Sequence, residues 1–242
     1  MNPEDLLDLI KQRHSSRCPF DPDRLVDTDT LHQILAAATW APTAHNMQNF
    51  DIVLVHDKVT LAALAALQSQ VSPTFIEENF RQLSFSEDEL KTKKTGLLAA
   101  QFPPEWLSDD AQQGKLIEPP SPLGEQVEHG PALLIVTYDP SCRAPASDGD
   151  FLGAISLGCM IENMWLMATA FGVDFHIISS LANEPLATNV KQLLGIAPNL
   201  AIALSCRLGY PLGDEPAPLR VRRDLTDFVT PGRVAASATV DA

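Results

Sequence analysis

Cysteine and positive charge are both scarce in this chain, and each scarcity closes off a class of function. Only Cys18, Cys142, Cys159 and Cys206 occur among 242 residues. No two form a C-x-x-C pair and none stands near two histidines at metal-ligand spacing, so no metal site is expected. The four read as reduced cytosolic thiols, which places the protein in the cytoplasm, and Cys159 and Cys206 fall inside apolar runs where buried cysteine is common. Lys and Arg total 17 against 31 Asp and Glu, a formal charge of −14. Nucleic acid and anionic membranes are both recognised through Lys and Arg, so neither is expected as the main partner. No P-loop, G-x-S-x-G elbow, H-E-x-x-H or G-x-G-x-x-G is present. The opening MNPEDLLDLIKQR is acidic and amphipathic, unlike a signal peptide.

What the chain has is apolar material for a core: 45% hydrophobic residues, 20% charged, at a length that suits one large domain or two small ones. Asn2-Pro3-Glu4-Asp5 is a helix start, with an N-cap, a Pro and acids suited to the positive dipole end. Leu6, Leu7 and Ile10 give its apolar face, and the helix is expected to run into RHSSRCPF and stop near Pro19. A second helix is expected from Asp27–Thr30 to Pro42, and a third over DKVTLAALAALQS. DIVLVHD, PALLIVTYD, GVDFHIIS and NLAIALSCRLG read as strands. Asn183 is expected to cap a helix that runs through Leu194 and stops at Gly195.

The longest apolar run is 151–172, FLGAISLGCMIENMWLMATAFG. Glu162 and Asn163 at its centre, with no flanking Lys or Arg, argue for a buried soluble helix over a membrane span. Strands interleaved with helices suit an α/β or α+β domain whose longest helix is buried on every side. The stretch 70–130 is irregular apart from a helix from Ser86 to about Ala100, and reads as a lid, a binding loop or an insertion. The tail from Pro211 has too few apolar residues for its own core, so it is expected to lie as an arm on something else.

The few arginines are clustered. Arg13 and Arg17 lie near one end, with Ser15 and Ser16 between them, and Arg220, Arg222 and Arg223 lie near the other. Arginine with serine hydroxyls is the donor set a phosphate monoester needs; two ordinary solvated basic patches are the alternative reading. In APTAHNMQNF at 41–50, Pro42 ends the preceding helix and Thr43, Asn46, Gln48 and Asn49 present a hydroxyl and amides. Amides both donate and accept, which suits a planar heterocycle, although a polar helix-capping loop accounts for the same residues.

R-H-S-S-R-x-P-F at 13–20, A-P-T-A-x-N-x-Q-x-F at 41–50, S-L-G-C-M-I-E-N-M-W-L-M-A at 156–168, G-V-D-F-H-I-I-S-S at 172–180 and R-V-R-R-D-L-T-D-F-V at 220–229 occur in that order. This series resembles the FMN-dependent nitroreductase family over residues 1–70 and 130–230. The resemblance implies an α+β fold: a mixed sheet flanked by helices in an intertwined homodimer, with two FMN at the interface. It implies one FMN-binding domain over 1–242, with a variable insertion at about 70–130 and a C-terminal arm from about 211.

By the same resemblance, Arg13, Ser15 and Arg222 bind the FMN phosphate with Arg220 beside them, and His14 lies near the ribityl phosphate through its backbone. Arg17 faces N1 and O2 of the isoalloxazine and is the catalytic candidate. Pro42, Thr43, Asn46 and Gln48 reach the flavin of the other subunit, and Ile178, Ser179 and Ser180 approach the ring near N5 and O4, with serines where the family usually has glycine. The implied activity is ping-pong hydride transfer from NADH or NADPH through FMN to a nitroaromatic, quinone or related small oxidant, with Arg17 stabilising negative charge at N1–C2=O. A non-catalytic flavin store or redox sensor is the competing class. Phe75, Phe80, Phe85, Phe102 and Trp106 are candidates for an aromatic lid, and Lys93 and Lys94 for contact with an acidic substrate.

Overall fold

Successive residues of a strand face opposite ways, so the uninterrupted apolar run of PALLIVTYD demands cover on both faces of its sheet. The computed structural model, which describes residues 2–67, 76–102, 123–213 and 219–232, supplies that cover. Strands β1 (Asp51–Val55), β2 (Ala132–Tyr138), β3 (Asp174–Ile178) and β4 (Ala201–Gly209) form one sheet in the order β1–β2–β4–β3. Every pairing in it is antiparallel, with Leu134 opposite Cys206 and His176 opposite Arg207.

The helices around this sheet are α1 (Pro3–Gln12), α2 (Thr28–Ala38), α3 (Lys58–Ala65), α4 (Leu123–Glu128), α5 (Phe151–Ala170) and α6 (Leu186–Leu194). Leu134, Val136, Phe175 and Leu208 pack with Ile34 of α2 and Met160, Met164 and Trp165 of α5. Leu133, Ile135, Ile178 and Ile202, on the other face, pack with Leu61 and Leu64 of α3, Val127 of α4 and Val190 of α6. All four expected strands are therefore present, in a sheet sandwiched between two helical layers; among the described residues that sheet is wholly antiparallel, not mixed as expected, because each strand runs opposite to the neighbour it pairs with.

Local chemistry sets most helix starts. Asn2 and Asp5 form a reciprocal capping box, the Asp5 amide donating to Asn2 Oδ1 at 2.7 Å. Asp27 accepts from the Thr30 amide at 2.9 Å, and Asp57 from the Thr60 amide at 2.8 Å. These hydrogen bonds, led for Asp27 by that from the Thr30 hydroxyl, hold both carboxyls below their ordinary pKa. The capping stabilisation is thus present above the ordinary carboxylate range and lost as pH falls through the depressed folded value. Asp27→Ala is expected to lower the urea midpoint at neutral pH and to have little effect in strong acid.

Three sequence expectations are corrected here. The first helix stops at Gln12 instead of continuing to Pro19, because Arg13 takes an extended ψ of 127° and the Ser16 amide donates to Phe175 O at 3.1 Å on the free edge of β3. The apolar face of α1 is not in the core: Leu6, Leu7 and Ile10 are all exposed. Helix α6 begins at Leu186, where the carboxylate of Glu184 accepts from the Thr188 amide, and Asn183 contributes only its backbone carbonyl, to Ala187. Its end at Gly195 is as expected, in the left-handed conformation at φ 67° that glycine adopts without strain. Finally, α5 is not buried on every side. Met160, Met164 and Ala168 are at 0% exposure, but Phe151 is 67% and Ile155 46% exposed. It is the one helix among the described residues long and apolar enough to cross a membrane, yet it lies against the sheet, and Asn163 donates to Ala37 O of α2.

Beyond β4 the chain folds back beside residues 19–21. The Asp21 amide donates to Tyr210 O at 2.8 Å and the Leu212 amide to Pro19 O at 2.8 Å. Gly209 is required there, since a Cβ would stand 2.7 Å from both Phe20 and Pro131.

The described residues within 71–119 and 217–242 form a second compact unit. It holds a two-stranded parallel pair, Ser84–Phe85 with Leu97–Leu98, and a helix, Glu87–Lys93, that starts at the expected Ser86 cap but ends at Lys94, short of Ala100, where the backbone turns left-handed at φ 56°. Lys94 pairs with Asp224, which caps the short helix Leu225–Asp227.

Candidate functional site

The segment after α1 carries the first group of candidate residues. Arg13 is half-buried; its Nε stands 3.0 Å from Glu162 Oε1 and its guanidinium lies 4.6 Å from the Trp165 ring centroid. Trp165 is fixed in turn by donating Nε1–H to His14 O at 3.0 Å and by stacking on Phe175. The His14 carbonyl is thus committed to Trp165, and its ring Nδ1 lies 3.1 Å from Gln12 O. Ser15 is half-buried with no hydrogen bond to its hydroxyl among the described residues. Arg17 likewise has neither hydrogen bond nor ion pair among them; it is exposed, although desolvation of part of its side chain lowers its pKa. The exposed guanidinium has no protein acceptor among the described residues, so its donors face solvent, where an anion can take them.

Two residues that sequence reasoning passed over organise this segment. Arg207, in the middle of β4, is 1% exposed. Its Nε donates to His176 Nδ1 at 3.0 Å, and its Nη2 donates to Ser16 O at 3.3 Å and Cys18 O at 2.6 Å. Its guanidinium also lies over the Phe20 ring, 4.1 Å from the centroid. The imidazole accepts from Arg207 and is therefore neutral; burial first, then the charges of Arg207 and Arg17, push its pKa down to about 3. An arginine within an apolar strand is the signal that was legible and unused.

The second group is the loop after α2. Three non-glycine residues, His45, Asn46 and Gln48, have positive φ near 50°, a concentration of backbone strain that surrounding contacts must sustain. The Ala44 amide donates to Ser156 Oγ of α5 at 3.0 Å, and the Gln48 amide to Thr43 Oγ1 at 3.2 Å. Asn49 is a clamp: its Nδ2 donates to the carbonyls of Asp139 and Cys142, both at 2.9 Å, and its Oδ1 accepts from the Asp139 amide. Thr43 and Gln48 line a cavity of about 270 Å³ with Tyr138, Asp150 and Ser156. Pro42 precedes its rim, and the Asn46 side chain accepts from Gln48 Nε2 at 3.2 Å.

The third group follows β3. Ile178 is buried with its carbonyl accepting from Ser205 Oγ at 2.7 Å, Ser179 is exposed, and Ser180 is half-buried at the start of a short helix. Ile178 to Ser180 and the 13–18 segment thus both adjoin the edge strand β3. Arg220 and Arg222 belong to the second unit and are exposed there, Arg222 donating to Val221 O at 2.7 Å. In that unit the aromatic side chains serve one another: Phe80 and Phe102 meet edge to face at 5.9 Å, and Lys93 sits over Phe85. Lys94 is taken by Asp224, and Phe75 and Trp106 lie outside the described residues.

The architecture of the first unit is therefore an α+β fold whose edge strand β3 adjoins the 13–18 segment. The chain belongs to the nitroreductase family, whose sequence model matches residues 10–210. No curated protein matches it in sequence. Its fold is similar to that of a Desulfovibrio desulfuricans protein in complex with FMN, at 18% identity and a TM-score of 0.60, covering 97% of this chain and 99% of that one. It is also similar to a nitroreductase with bound FMN from Bacteroides fragilis, at 22% identity and a TM-score of 0.56, covering 96% and 100%. A nitroreductase-like family protein from Bacillus cereus aligns at 18% identity and a TM-score of 0.59, covering 95% and 96%.

Proposed function

We propose that this protein is a cytoplasmic, FMN-dependent NAD(P)H oxidoreductase acting on a small-molecule oxidant as a homodimer. The observation that carries the reading is the donor set at 13–17: Arg17 without a partner among the described residues, the unengaged Ser15 hydroxyl, and Arg13 held at its Nε edge by Glu162. Such donors fit a phosphate monoester and an electron-rich ring edge, and two of the similar structures contain FMN. When bound, FMN supplies hydride acceptance from a nicotinamide nucleotide and return of the electron pair to a nitroaromatic, quinone or related acceptor.

Arg13 and Ser15 are assigned to the phosphate, with Arg222 and Arg220 from the C-terminal stretch and His14 alongside. Arg17 is assigned to N1 and O2, where its fixed charge offsets the negative charge that reduction places there. Ile178, Ser179 and Ser180 are assigned to the N5 and O4 side. Pro42, Thr43, Asn46 and Gln48 are assigned to the flavin of the partner subunit. The 70–130 stretch is assigned to a variable insertion and the tail from about 211 to an arm within one FMN-binding chain.

Anaerobic mixing of the purified yellow protein with NADH or NADPH tests the activity. Bleaching of the flavin band within seconds with either donor is expected; a protein that stays yellow with both is a flavin store or sensor instead. The dimer is supported by the apolar side chains that a single chain leaves open, among them Trp40, 85% exposed, and Phe151 and Ile155 of α5. Light scattering is expected to give twice the chain mass of 26.3 kDa. A monomer carrying FMN would remove the cross-subunit assignment of 42–48.

A further inference from the structure

Arg17 is the cation assigned to the flavin ring, yet no hydrogen bond or ion pair among the described residues holds its side chain in place. What is held is the backbone on either side of it. Arg207 Nη2 binds the carbonyls of Ser16 and Cys18, and the Ser16 amide is tied to Phe175 O on β3. Arg207 is anchored at its Nε by His176, its cross-strand neighbour, and is backed by Phe20. A planar guanidinium suits this task because one rigid group reaches three acceptors at once, which an ammonium on a flexible stem does not. Pinning the carbonyls that flank Arg17 restricts the torsions of residues 17 and 18 and hence the direction in which the Arg17 side chain leaves the chain.

We propose that Arg207, anchored by His176, is a positioning residue that acts through the backbone of residues 16–18 to set Arg17 against the flavin. The inference rests on the reading of Arg17 given above. Its consequence differs from that of a structural role: loss of the Arg207 contacts changes the redox behaviour of bound FMN, and changes it by way of Arg17.

The test is a double-mutant cycle read as the midpoint potential of bound FMN, using Arg17→Met, Arg207→Lys and the pair. Lysine keeps the charge and loses the three-point geometry. Arg207→Lys alone is expected to shift the potential in the same direction as Arg17→Met. In its background, the shift caused by Arg17→Met is expected to shrink to about half or less, the non-additivity of residues acting as one unit. Should Arg207→Lys fail to fold, His176→Phe removes the Nε acceptor while keeping a ring in place, and the same non-additivity is expected. A full-size Arg17→Met shift in either background overturns the proposal, even if the melting temperature falls, because Arg207 then stabilises the fold without positioning Arg17. If Arg17→Met has no effect on the potential of the otherwise wild-type protein, the assignment of Arg17 to the ring fails, and the proposal fails with it.

Discussion

Arg13→Ala is expected to weaken FMN binding by about 1.5–3 kcal/mol, roughly ten- to a hundredfold, while leaving riboflavin binding nearly unchanged. The scale is that of a charged hydrogen bond to phosphate, which riboflavin lacks. The surroundings of Arg13 sharpen the expectation. Glu162 pairs with its Nε and the Trp165 ring lies against its guanidinium. Removing the guanidinium also leaves the Glu162 carboxylate without its ion pair, close to where the phosphate dianion is assigned. Flavin-fluorescence titrations with both ligands check this. Equal losses for FMN and riboflavin would take Arg13 out of the phosphate site and leave it as a cover for Trp165. Arg222→Ala is expected to show the same preference for FMN loss.

Arg17→Met is expected to lower the potential of bound FMN by roughly 20–65 mV. The figure is a charge interaction of about 1–3 kcal/mol felt mainly in the reduced state, converted at about 1.4 kcal/mol per 30 mV for a two-electron couple. Methionine keeps a long apolar stem, so oxidised FMN should still bind, and reduction by NADH or NADPH should slow. If Arg17 serves only as a second phosphate anchor beside Arg13, the substitution weakens FMN affinity and leaves the potential of the bound fraction unchanged. Spectroelectrochemical titration of FMN-saturated wild type and mutant separates the two.

Features set by neighbours in the chain were legible in the residues. Asn2, Asp27, Asp57 and Ser86 cap helices because a short polar side chain bonds an amide three residues on, whatever the rest of the protein does. PALLIVTYD and NLAIALSCRLG read as strands because β-branched and apolar runs bounded by turn residues have few other uses. The 13–17 donor cluster was legible as chemistry, since Arg and Ser in a strongly acidic chain stand out.

What lay beyond reach depends on partners distant in sequence. The stop of α1 at Gln12 is decided by the edge of β3, some 160 residues later, which offers Ser16 a hydrogen bond that outcompetes another helical turn. The α6 start moved for a local reason that was misread: Pro185 and Glu184, more than Asn183, shape that turn. The arginine in NLAIALSCRLG stands out, but nothing there says what it will meet; only the pairing of β3 with β4 brings His176 beside it and the 16–18 carbonyls within its span. Periodicity likewise cannot say whether the apolar faces of α1 and α5 are covered by this chain. The sequence by itself determined the four central strands, most helix starts and the donor-rich segment, because those follow from local backbone and side-chain chemistry. The tertiary structure alone decided where that segment ends, which carbonyls and rings hold it, and which apolar faces remain open, because each is an outcome of pairing between residues far apart in the chain.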